Sequence, residues 1–93
     1  MKISFDPAKR EKTLQERGLD FALAGELFSE LHITRINGRR DYGEIRYVTA
    51  GWLGGRMVVM VWTPRDETRH IISMRYCHGD EERLWREEME GPR

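Results

Sequence analysis

The chain has one cysteine, Cys77, so no internal disulfide can hold its 93 residues together. Its three histidines, His32, His70 and His78, are scattered, and Cys77 and His78 are adjacent rather than spaced as structural zinc ligands are. No metal and no other cofactor is expected. No stretch approaches the roughly 18 consecutive apolar residues of a membrane span, and the opening MKISFDPAKREK lacks the apolar segment of a secretory signal. A cytoplasmic chain without a membrane partner is the expectation. Internal repeats, low-complexity tracts and linkers are also absent, which leaves one domain over residues 1–93.

Charge of a single sign is missing overall, since 16 basic and 16 acidic side chains cancel. The distribution is uneven. Residues 35–76 carry eight basic and four acidic side chains, whereas residues 77–93 carry three and six. A basic centre beside an acidic tail fits a polyanion site with its own electrostatic counterweight, and it also fits ordinary solvated surface charge.

What the sequence does have is clear punctuation. Asp6 can cap a helix that starts at Pro7, and Gly18 stops it after Arg17. Asp20 caps a second helix with Phe21, Ala24, Leu27, Phe28 and Leu31 on one apolar face. NGRRDYGE is a polar connection in which Asn37-Gly38 is a candidate hairpin turn. EIRYVTAGWL and RMVVMVWT flank Gly54-Gly55, which predicts a two-residue hairpin with Leu53 facing Arg56 and Tyr47 facing Trp62. PRDE reads as a four-residue turn into TRHIISMRY, setting Trp62 opposite Arg69 and Val58 opposite Ser73. An acidic helix, docked by Leu84, Trp85 and Met89, ends the chain.

Under that register Val48, Ala50, Trp52, Met57, Val59, Val61, Ile72 and Met74 form an apolar face for the helices to cover. Tyr47, Thr49, Arg56, Met60, Trp62, Arg69, Ser73 and Arg75 form the opposite, open face. Arginine forks suit phosphate oxygens and aromatic planes suit unstacked bases, as single-stranded RNA recognition requires. The same arginines could instead pair with tail carboxylates such as Glu87 and Glu88.

The ordered series FDPAK, RGLDFALAGELF, GEIRYVTAGW, GRMVVMVWTPR, RHIISMRYC and DEERLW resembles the BrnT toxin family over roughly residues 3–85. The resemblance implies an α+β fold of RelE-like type, with two N-terminal helices, a twisted antiparallel sheet and a C-terminal helix. It implies an endoribonuclease toxin of a type II toxin–antitoxin system, acting on an RNA substrate. The implied partner is a BrnA-like ribbon-helix-helix antitoxin, through which alone operator DNA is reached; a toxin dimer within the complex is a further expectation. The family's acidic-x-arginine element falls on Glu44 and Arg46, and the arginine, serine and arginine of its IIS-x-R strand on Arg69, Ser73 and Arg75. Lys9 matches the lysine of the opening helix. Thr13 and Arg17 stand where the family commonly has asparagine and histidine, although Lys9, Thr13 and Arg17 still share one helix face.

Metal-independent RNA cleavage uses the adjacent 2′-hydroxyl as nucleophile. Arg69 and Arg75 are then candidates for stabilising phosphate charge, Ser73 for a hydrogen bond to phosphate or ribose, and Glu44 for the base or an orienter of arginine. Alternation places Arg46 on the covered face, where Glu44 or Asp66 could pair with it. His70 falls on that face too and reads as a core histidine with a hydrogen-bond partner. Lys9 and Arg17 are candidate RNA contacts, and Tyr47 and Trp62 could stack bases or lie under a partner. The loss of the family histidine at Arg17 keeps a second function open: a catalytically weak homologue serving as a binding subunit of an autorepressing complex on DNA.

Overall fold

A computed structural model describes residues 2–38 and 43–91. Helix α1, Pro7–Arg17, begins and ends where the punctuation predicts. The Asp6 side chain accepts from the Ala8 N–H at 2.9 Å, a cap worth about 1 kcal/mol, and the Gly18 N–H closes the last turn on the Leu14 carbonyl. The second helical segment, Phe21–Phe28, is a 3-10 helix rather than an α-helix. It buries Phe21, Ala24 and Leu27, but Leu31 lies beyond its end and is 61% exposed. Asp20 caps it and is also gripped by Arg10, at 2.7 and 3.0 Å, which ties it to α1.

That grip makes a pH prediction. The Arg10 guanidinium and the Ala22 N–H lower the Asp20 carboxyl from 3.8 to about 2. A carboxyl lowered by folding stabilises the native state above its ordinary value and stops doing so as pH falls through its folded value. Thermal melts should therefore show a loss of stability between about pH 4 and pH 2 that Asp20→Asn removes, the variant being less stable at neutral pH.

Five strands form one mixed sheet: β1 (Lys2–Phe5), β2 (His32–Asn37), β3 (Arg46–Leu53), β4 (Arg56–Arg65) and β5 (Thr68–Tyr76), in the order β1-β5-β4-β3-β2. The sheet is not purely antiparallel, because β1 runs parallel to β5. Neither β1 nor β2 is among the expected elements: KISF is four residues long, and HITRIN, between the second helix and NGRRDYGE, is assigned to none although its β-branched residues favour a strand. The Asn37-Gly38 turn cannot be placed, since residues 39–42 lie outside the described ones. Gly54 and Gly55, with φ of 60° and 82°, make the predicted two-residue turn, and Tyr47 pairs with Trp62 as expected.

The β4–β5 register differs from the expectation. The turn has only two residues, Asp66 and Glu67, with Asp66 at φ 54°, so β4 continues through Pro64 and Arg65. Pro64 pairs with Arg69 and Trp62 with Ile71; then Val61 pairs with Ser73, leaving Ile72 as an extra residue. This bulge inverts the alternation along β5. Arg69 and Ile71 precede it on the Trp62 face, whereas Ser73 and Arg75 follow it on the face of His70.

The 3-10 helix covers the Trp62 face, the reverse of the sequence expectation. Leu19, Phe21, Ala24 and Leu27 pack there with Val58, Met60, Trp62, Ile71 and Met74. Gly51 permits the approach: a Cβ there would stand 3.1 Å from the Leu27 carbonyl oxygen and 3.3 Å from His32 Cβ. The last helix, α2 (Gly79–Glu90), has no buried residue. It lies over one end of the His70 face, with Leu84 58% exposed rather than docked. None of the described helices is long and apolar enough to cross a membrane.

Candidate active site

Paired residues on neighbouring strands point to the same side of a sheet, so the register lays out the His70 face row by row. Ile33, Ala50, Val59 and Arg75 form one row, and Arg35, Val48, Val61 and Ser73 the next. Beyond them lie Asn37 with Arg46, and Thr63 with His70 and Ser4. Glu44 and Arg65 follow at the end away from α2, joined by an ion pair of 3.1 Å.

Helix α1 borders this face. Where β1 stops at Phe5, α1 takes over the edge of β5, and Arg17 donates from Nη1 to the Met74 carbonyl at 2.7 Å. The stripe Lys9, Thr13 and Arg17 then lines a cleft of about 280 Å³ with Lys12, Glu16, Ile72 and Ser73. The stripe and Ser73, separate motifs in the sequence, are thus brought together.

His70 is half-buried, and its hydrogen bonds define its tautomer. The Thr68 hydroxyl donates to the Arg65 carbonyl at 2.8 Å, which uses its only proton. The Ser4 hydroxyl, 3.1 Å from Thr68 Oγ1, must therefore donate to it. Ser4 Oγ is then left to accept from His70 Nδ1 at 3.0 Å. With the proton on Nδ1, the Nε2 lone pair is the acceptor. Burial, reinforced by the charges of Arg65 and Lys9, lowers the His70 pKa from 6.5 and favours this neutral form, although Glu44 and Asp6 oppose the shift. Sequence alternation foresaw the partner but assigned His70 to a covered core. Arg65 and Ser4 went unnoticed, the first hidden in a supposed turn and the second in an unrecognised strand.

The remaining predicted residues divide between the two faces. Arg46 shares the His70 face and contributes to the field on Glu44. Glu44 bonds to Arg65, which holds its carboxyl below the usual range and makes it a weaker base. Arg75 makes a two-pronged bond to Glu81, both contacts at 2.6 Å. Arg69 lies on the opposite side of the sheet, its guanidinium 3.7 Å from the Phe28 ring and 5.3 Å from Trp62. It cannot act on a phosphate beside Ser73. Trp62, 7% exposed, is a core residue and not an open stacking platform; Tyr47 is stacked on it at 4.9 Å. Cys77 offers no thiolate, because burial and the Glu81 charge push its pKa up to about 12.

These features make an open sheet face with a neutral imidazole, a hydroxyl and several fixed cations, beside a helix edge. A family model described as "Ribonuclease toxin, BrnT, of type II toxin-antitoxin system" matches residues 5–81. The chain belongs to the BrnT family. A search of the curated proteins gave no match. The match takes in every part of the BrnT chain that builds the open face from Phe5 onward, and it ends at Glu81, within the first turn of α2. The family is one of ribonuclease toxins in type II systems, which implies an RNA target and an antitoxin partner.

Proposed function

We propose that this BrnT-family chain is a metal-independent endoribonuclease that cleaves RNA on the His70 face by attack of the 2′-hydroxyl on the adjacent phosphorus. The observation that carries the reading is the directed chain from His70 Nδ1 through Ser4 and Thr68 to the Arg65 carbonyl, which presents Nε2 as a proton acceptor near Ser73 and the α1 stripe. Nε2 takes the 2′-hydroxyl proton, the new P–O2′ bond forms, and the P–O5′ bond breaks. The departing 5′-oxygen takes a proton from water. Ser73 donates to a phosphate oxygen, while Lys9 and Arg46 offset the charge that grows on the phosphate. Glu44 orients Arg65. Arg17, spent partly on the Met74 carbonyl, borders the RNA path.

The reading extends to a single RelE-like domain over residues 1–93, neutralised by a BrnA-like ribbon-helix-helix antitoxin that also contacts operator DNA. Its test is chemical. Incubation with single-stranded RNA in excess EDTA should yield fragments ending in a 2′,3′-cyclic phosphate and beginning with a 5′-hydroxyl. A 2′-deoxy substitution at the cleaved nucleotide should abolish the cut. Activity that disappears with EDTA and returns with one divalent ion, or cleavage that survives the 2′-deoxy substitution, overturns the mechanism.

A further inference from the structure

The acidic tail has a specific destination. Within α2, Gly79–Glu90, six carboxylates outnumber two arginines, and two of those carboxylates reach arginines on different strands of the His70 face. Glu81 takes Arg75 of β5 in the two-pronged bond, and Glu88 pairs with Arg35 of β2. Arg35 lies in the same cross-sheet row as Ser73, and Arg75 in the row beside it. Both arginines therefore continue the cationic path of the site under α2. A guanidinium fork that donates to two carboxylate oxygens can donate to two phosphate oxygens in the same way.

We propose that α2 is an internal phosphate mimic: Glu81 and Glu88 occupy two backbone-phosphate subsites, at Arg75 and Arg35, which single-stranded RNA takes when the helix swings away. The inference rests on the reading of the His70 face as the RNA site. Little apolar packing holds α2 in place. It has no buried residue, and an open surface hollow of about 540 Å³ is lined by Ile33 and Arg35 of β2 and by Leu84, Glu87, Glu88 and Gly91 at the helix's C-terminal end. Charges over rings also tie it down, Arg35 over Trp85 at 5.9 Å and Arg86 over Trp52 at 5.2 Å. The C-terminal turn carries Glu87, Glu88 and Glu90 and no basic residue, so it opposes the helix dipole and depends on Arg35 for compensation. Partly exposed ion pairs of this kind contribute little, so a bound polyanion can exchange for them and then repel the helix it displaced.

The test uses the full chain and a single-stranded 2′-O-methyl RNA oligonucleotide, which lacks the attacking hydroxyl. Its dissociation constant is measured against salt for wild type, for Glu81→Gln/Glu88→Gln, and for that pair combined with Arg35→Ala and Arg75→Ala. Glutamine at 81 keeps a side-chain acceptor for the His78 N–H. The double variant should bind about tenfold tighter at low salt, with a log–log slope steeper by roughly 0.7 for each phosphate gained. Adding the two alanines should cancel the gain. In wild type, hydrogen exchange of the α2 amides should accelerate on saturation with the oligonucleotide. If wild type binds but the double variant shows the same constant and slope, the mimic is refuted while the RNA reading stands. If neither protein binds, the RNA reading itself fails. Circular dichroism reports whether α2 has melted in the variant; a melted helix without tighter binding also refutes the mimic, because the arginines would then be open.

Discussion

His70→Gln should lower RNA cleavage by about a hundredfold or more while leaving the protein folded, the usual effect of removing a positioned general base. Glutamine can still meet Ser4 Oγ through its amide, so the Ser4–Thr68–Arg65 chain persists, but it has no lone pair of useful basicity where Nε2 stood. Two readouts separate this role from a structural one. Wild-type cleavage should rise with pH through a midpoint below 6.5, because burial lowers the His70 pKa, and His70→Gln should lose that limb. The stability profile follows the same sign. A histidine lowered by folding stabilises the native state above its unfolded value, and the contribution fades as pH falls through the folded value, so His70→Gln should flatten that part of the melting profile. Unchanged cleavage per folded molecule would remove His70 from the chemistry and return attention to Glu44.

Trp62→Ala should cost about 3–5 kcal/mol, the range for deleting a buried large aromatic. Trp62 is 7% exposed, stacked on Tyr47 at 4.9 Å, edge-on to Phe28 at 5.8 Å, and under the Arg69 guanidinium at 5.3 Å. Its indole N–H donates to Thr49 Oγ1 at 2.9 Å. Deletion leaves a cavity at the centre of the helix-covered face and takes the flat surface from beneath Arg69. Small domains have only about 5–15 kcal/mol to lose, so the variant should melt far below wild type. Trp62→Phe should be milder, about 1–2 kcal/mol, because the ring remains and Thr49 keeps its bond to Thr34 at 2.8 Å. A partner-binding anchor would behave differently. If Trp62→Ala melts like wild type yet loses affinity for a cognate antitoxin, the burial argument is wrong and Trp62 belongs to an interface.

Arg69 and Arg75 show how reading β5 as a regular strand gives a wrong geometry. Both stand in one strand six residues apart, an even separation that puts them on one face of a regular strand. One extra residue at Ile72 places them on opposite sides of the sheet, Arg69 against Phe28 and Arg75 against Glu81. The rival expectation that the arginines pair with tail carboxylates holds for Arg75, through Glu81 rather than Glu87 or Glu88. For Arg69 it does not hold, since its contacts are aromatic. The bulge has no composition signal of its own, because RHIISMR is equally good strand sequence with or without a slip.

Local chemistry was legible wherever a short-range rule applies. Asp6, Pro7 and Gly18 bounded α1, Gly54-Gly55 fixed the β3–β4 register, and Lys9, Thr13 and Arg17 lay on one face of α1 because helical periodicity alone requires it. The ordered motifs also carried the family. Tertiary structure alone decided which sheet face the N-terminal segments cover, since both faces carry apolar residues; on the covered face Gly51 leaves room for the close approach of Leu27. It also brought β1 alongside β5, which gave His70 its partner Ser4 from 66 residues away and so set its tautomer. Contacts between residues so distant in sequence leave no periodicity to read, whereas caps, turns and helix faces are built from neighbours a few residues apart.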